Sequence, residues 1–136
     1  MVKVKICGIT NLDDAMAAAD FGADALGFVF FKNSPRYISP VNAEKIIKKL
    51  PPFISAVGVF VNEDKKNIEK IVSRTGINIT QLHGDEPPKA CNLSKPSIKA
   101  IRVKSLDSLE VISKYKDKVS AFLLDTYTPE LFGGTG

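Results

Sequence analysis

The chain has no tryptophan, one histidine and two cysteines, and each scarcity excludes something. Cys7 and Cys91 form no metal or redox spacing, and His83 could not complete a zinc set alone, so no metal site is expected. Two unpatterned cysteines behind an N-terminus that lacks an apolar signal core point to a reducing cytoplasm. No apolar run approaches the roughly 20 residues of a membrane span. Blocks of one charge are missing too: 19 Lys and Arg against 15 Asp and Glu leave a net +4. Lys48-Lys49, Lys65-Lys66 and Lys114 with Lys116 and Lys118 fall where helices should face water. That pattern reads as solvated surface rather than a nucleic-acid stripe, and the small excess would also suit an anionic small substrate.

What the chain does have is a core and an alternation. At 136 residues, 44% apolar and 25% charged, it suits one domain spanning 1–136. Strands rich in Val, Ile and Phe begin near Lys3, Ala25, Ser55, Ile79, Ile98 and Ser120. Between them lie helix signals. Asn11 can cap a helix that has Asp13 and Asp14 in its first turn and ends near Gly22. Ser39-Pro40 supplies a cap and a first-turn proline for the next. Asn62, followed by Glu63 and Asp64, starts a third that Gly76 ends. Pro87-Pro88 permit only a short helix over 85–93, whereas 107–116 predicts a better one.

Such alternation implies an α/β fold, a parallel sheet with right-handed crossovers covered by helices. FISAVGVFV and SAFLLD fit strands buried on both faces. A closed barrel of eight units needs roughly 200 residues, so six strands fit an open doubly wound sheet or about three quarters of a barrel. The chain then runs into LFGGTG where a covering helix would be expected, which reads as a chain stopping inside a larger fold.

In parallel α/β folds ligands bind at the carboxyl ends of the strands. Cys7, Phe30, Asn62, His83, Arg102 and Asp125 stand there, with Arg36 in the loop after the second strand. Period two sets Lys3, Lys5 and Cys7 on one face of strand one and Val4 and Ile6 on the other, toward the helices. An ammonium beside a thiol favours the thiolate, although a free cysteine can equally be a small buried hydrophobe. Asp125 closes the apolar run AFLLD, where burial would favour the protonated carboxyl that a general acid needs; a loop-bracing aspartate is the alternative. Arg36 could fork onto a carboxylate or simply face solvent. His83 could serve chemistry or a structural hydrogen-bond network, and GGTG could form a phosphate-binding nest. A receiver-like binding module would want acidic residues where Cys7 stands.

KICGIT, SPRYIS, VGVFVN, QLHGDE and LLDT with GGTG, in that order, resemble the phosphoribosylanthranilate isomerase family of tryptophan biosynthesis. The resemblance implies a (β/α)8 TIM-barrel fold, here a truncated barrel of six parallel strands lacking the last two strand-helix units. It implies an Amadori rearrangement of an N-glycosylamine of phosphoribose and anthranilate to a 1-deoxyribulose phosphate, without metal or organic cofactor. By that resemblance Cys7 is the general base and Asp125 the general acid, Arg36 holds the anthranilate carboxylate, and His83 lines the pocket. The family's phosphate grip follows its seventh and eighth strands. The chain alone is therefore expected to be weak or inactive, with a folded, non-catalytic barrel fragment as the alternative. Its open sheet edges invite self-association.

Overall fold

The computed structural model describes residues 1–127. The glycine-rich segment 133–136, raised above as a phosphate nest, lies outside the described residues. The elements run β1 (Lys5–Cys7), α1 (Leu12–Asp20), β2 (Ala25–Val29), α2 (Pro40–Ile47), β3 (Ser55–Phe60), α3 (Lys65–Thr75) and β4 (Ile79–Leu82). A 3-10 turn (Pro88–Cys91), β5 (Ser97–Val103), a second 3-10 turn (Leu106–Leu109), α4 (Ile112–Tyr115) and β6 (Ala121–Thr126) follow. The six strands form one parallel sheet in the order β1-β2-β3-β4-β5-β6. A doubly wound sheet reverses its strand order at a switch point; sequential order excludes that alternative.

Local chemistry explains most of the helix boundaries. The Asn11 side chain accepts from Asp14 N–H, and Ser39 does the same for Asn42 ahead of Pro40. Each such cap contributes about 1 kcal/mol by satisfying an otherwise unpaired donor. Gly76 closes α3 in the left-handed conformation, at φ 80°. The expected cap of α3 at Asn62 is corrected to Asp64, which accepts from Asn67 N–H. Asn62 itself sits at φ 51° and turns its amide toward the next loop, with Oδ1 accepting from Asp85 N–H at 2.7 Å.

The single helix expected over 107–116 is a 3-10 turn followed by one α turn. Its serines explain the break. Ser108 Oγ accepts from Lys104 and Ser105 N–H, and Ser113 Oγ donates back to Glu110 O, so side chains compete with the helical ladder.

Alternate strand residues divide the sheet into two faces. Leu26, Phe28, Ala56, Phe60 and Leu82 pack with Ala15, Ala43, Ile46, Ile68 and Val72 of the helices in one apolar layer. The Phe30 and Phe60 rings stack there at 5.3 Å. Val4 and Ile6, expected beneath helices, are instead 45% and 43% exposed. The reason is placement: α1 packs chiefly against β2, which leaves the outer side of β1 largely open to solvent. Lys3 likewise leaves the expected inner face to pair with Asp24 at 2.6 Å.

Candidate active site

The register brings the reactive side chains to one place. Cys7 pairs with Gly27, Val59 with Gln81, and Arg102 with Asp125, so β1, β4 and β6 deliver their inner side chains at their carboxyl ends. A cleft of about 220 Å³ opens there, and its polar lining is Lys5, Cys7, Ser34, Arg36, Gln81, His83 and Asp125. Cys7, Arg36, His83 and Asp125 all line it, whereas Phe30, Asn62 and Arg102, also expected at the strand ends, do not.

Two glycines make the thiol end possible. A Cβ on Gly27 would stand 2.6 Å from Cys7 Sγ, so any larger residue would displace the thiol. Gly8 has φ +92°, and a Cβ there would meet Arg36 Cδ at 2.4 Å. Its absence lets the arginine stem cross the backbone, where Nη1 donates to Cys7 O at 3.3 Å. The KICG motif thus fixes the thiol and the guanidinium together.

The other end is a hydrogen-bonded chain. Lys5, expected simply as a cation near the thiol, has its Nζ engaged by Gln81 Oε1 at 2.5 Å. Gln81 Nε2 lies 2.7 Å from His83 Nδ1, and His83 Nε2 lies 3.0 Å from Asp125 Oδ2. Asp125 Oδ1 accepts from Thr126 N–H at 2.9 Å. Sequence analysis did not single out Gln81; only the sheet register, which sets it opposite Val59, brings it into the site.

Behind His83 stands a feature that sequence reasoning missed. Glu86 and Lys99 form an ion pair at 2.9 Å, each side chain only 3% exposed. Lys99 Nζ also donates to Gly84 O at 2.6 Å, and the Glu86 carboxylate accepts from Asn62 and Gly84 N–H. Tyr115 OH donates to Glu86 O at 2.8 Å. This cluster clamps the Gly84-Asp85-Glu86 turn that follows the histidine, while Arg102 pairs with Asp85. The signal was a lysine at a helix-facing position of β5, where burial requires a carboxylate partner. Burial pushes the Cys91 thiol up, with Glu86 adding to the shift and Lys99 opposing it, and burial likewise raises Tyr115.

A larger cleft of about 730 Å³ lies at the opposite end of the sheet, beside Ser97 and Ser120 at the starts of β5 and β6. Its charged groups are Lys89, Lys95, Asp117 and Lys118 on the surface, without the convergence of thiol, imidazole and carboxylate. Among the described residues no group of three or more His, Cys, Asp or Glu is placed to share a metal. None of the described helices is long and apolar enough to cross a membrane.

A sequential parallel sheet with its reactive groups gathered beyond the strand carboxyl ends defines the (β/α)-barrel class. Residues 4–136 match the family model described as N-(5'phosphoribosyl)anthranilate (PRA) isomerase, and the chain belongs to that family. It is 51% identical over 137 residues to the N-(5'-phosphoribosyl)anthranilate isomerase of Citrifermentans bemidjiense, and 53% identical to that of Pelobacter propionicus. Those alignments cover 100% of this chain but only 66% and 65% of the relatives, so the chain spans just under two thirds of their length. The crystal structure of the Thermotoga maritima phosphoribosyl anthranilate isomerase superposes with a TM-score of 0.92 at 47% identity, over 98% of this chain and 66% of that one. A phosphoribosyl anthranilate isomerase solved in complex with reduced 1-(o-carboxyphenylamino)-1-deoxyribulose 5-phosphate superposes with a TM-score of 0.88 at 46% identity, over 93% and 66%.

Proposed function

We propose that this chain carries the isomerase chemistry of its relatives. The reaction is the Amadori rearrangement of N-(5'-phosphoribosyl)anthranilate to 1-(2-carboxyphenylamino)-1-deoxyribulose 5-phosphate, a step of tryptophan biosynthesis in the cytoplasm. The observation that carries this reading is the convergence of Cys7, Arg36 and Asp125 on one cleft at the strand ends. In it, protonated Asp125 gives its proton to the furanose ring oxygen, and the ring opens to a Schiff base. Cys7, as thiolate, then removes the C2 proton that the iminium acidifies, and the enolamine tautomerises to the ketone. Arg36 holds the anthranilate carboxylate by charge-assisted hydrogen bonds. His83 lines the site beside the acid, and the scheme calls for no metal or cofactor.

In this reading the phosphate grip follows the seventh and eighth strands of the barrel, and the chain spans just under two thirds of its relatives' length. Binding energy from a remote phosphate lowers the barrier as well as KM. We therefore assign the chain on its own a low turnover, and the shared coverage keeps a folded, non-catalytic fragment as the second reading.

The test measures isomerisation by the chain alone and mixed with the remaining third of a full-length relative. Added complement is expected to raise turnover. In that mixture Cys7→Ala and Asp125→Asn should each lower kcat by about 10²–10⁴-fold, whereas Arg36→Met should mainly raise KM. Complemented activity that survives both Cys7→Ala and Asp125→Asn would refute the acid and base roles.

A further inference from the structure

The donors and acceptors around the single imidazole can be assigned from chemistry alone. An ammonium offers only hydrogens, so the Gln81 atom facing Lys5 Nζ at 2.5 Å must be the carbonyl Oε1. The other end of that amide, Nε2, then carries only donors, and it lies 2.7 Å from His83 Nδ1. Nδ1 must accept, so it bears no proton. The proton of the neutral ring is left on Nε2, 3.0 Å from Asp125 Oδ2.

We infer that Lys5, acting through Gln81, locks His83 as the neutral Nε2–H tautomer, a fixed hydrogen-bond donor to Asp125 and not a proton shuttle. To relay a proton, the ring would first have to gain a second one at Nδ1. The amide opposite can only donate a hydrogen bond and has no proton to transfer, and a doubly protonated ring would set two donors against each other at 2.7 Å. The remaining charged or titratable groups on the cleft are Cys7 of β1 and Arg36 of the loop after β2. Arg36 donates to Cys7 O, and Asp125 is the carboxylate in contact with the ring. Lys5 and Gln81 are therefore positioning residues. With Thr126 N–H on Oδ1 and His83 on Oδ2, the Asp125 carboxyl is gripped at both oxygens. Its catalytic meaning rests on the general-acid reading above: Asp125 gives its proton to the sugar and regains one from water, with the imidazole unchanged throughout.

The chain has one histidine, so every imidazole signal in the 136-residue chain, freed of any tag, belongs to His83. Two-bond ¹H–¹⁵N correlation spectra at neutral pH should show Nε2 protonated and Nδ1 in the unprotonated range. Lys5→Met frees the amide to turn and should give a mixture of both tautomers, while Lys5→Arg, still a donor-only cation, should restore the single one. Gln81→Glu places an acceptor opposite Nδ1 and should protonate both nitrogens. A wild-type ring protonated at Nδ1, or a Lys5→Met pattern identical to wild type, would overturn the inference. Should Lys5→Met fail to fold, Lys5→Ala removes the same donor and carries the same test, and the wild-type tautomer is decided without any variant. None of these spectra depends on turnover, so a chain without isomerase activity would sink the general-acid reading and leave the tautomer result standing.

Discussion

The two cysteines show how far position decides a residue's chemistry. Cys7 lies partly exposed on the cleft, while Cys91 is 2% exposed among Lys99, Glu86 and Tyr115. Burial raises the Cys91 thiol from its ordinary value of 9.0, and burial with nearby negative charge raises the Tyr115 phenol from 10.0. Both are neutral acids, so between the unfolded and folded values the unfolded chain binds fewer protons. Stability from these groups is complete below their unfolded values and is lost as pH rises through the folded ones. Thermal melts should therefore hold from neutrality to near pH 9 and fall above it, and the fall should be shallower in a Cys91→Ala, Tyr115→Phe double variant. An equally steep alkaline fall in that variant would show that the buried pair is not its source.

The turn after β4 is where packing, charge and the site meet. Glu86 and Lys99 tie Asn62, Gly84 and Tyr115 to one another and hold the backbone next to His83. Removing one member leaves a buried charge without its partner, so Lys99→Met should cost about 3–5 kcal/mol in urea denaturation. Adding Glu86→Gln should recover much of that loss, because the remaining amide oxygen can still accept from Gly84 or Asn62. A single variant as stable as wild type would contradict the clamp. Caps at Asn11 and Ser39 and the stop at Gly76 were legible because they depend on a few adjacent residues. The shift of the third cap to Asp64 was not, because Asn62 answers to Asp85, across 23 positions of chain. The 107–116 segment failed for a local reason that apolar periodicity does not register, namely serines bonding their own backbone.

At the scale of the molecule, alternation left a doubly wound order and a sequential one open; the sheet takes the sequential order that the family motifs imply, and that order places Cys7, Arg36, His83 and Asp125 around one cleft. That much of the site could be read from strand ends and family motifs. The link between Lys5 and Gln81 could not, because it requires the sheet to curl until β1 reaches β4 across the interior. Val57, Val59 and Gln81 are buried at the middle of that inner face. The rims are wetter: Ala121 is exposed, as are Ile6 and Leu124 on the outer face of β1 and β6. Among the described strands β1 and β6 each have one partner, which leaves both able to pair with added chain. The central claim is that this cleft is the substrate site, and a crystal structure of the protein with reduced 1-(o-carboxyphenylamino)-1-deoxyribulose 5-phosphate tests it most directly. The account predicts the carboxylate of the ligand on Arg36, its sugar-derived hydroxyls beside Asp125 and its C2 facing Cys7. A ligand seated in the larger cleft beside Ser97 and Ser120, or one in this cleft with its carboxylate turned away from Arg36, would contradict it.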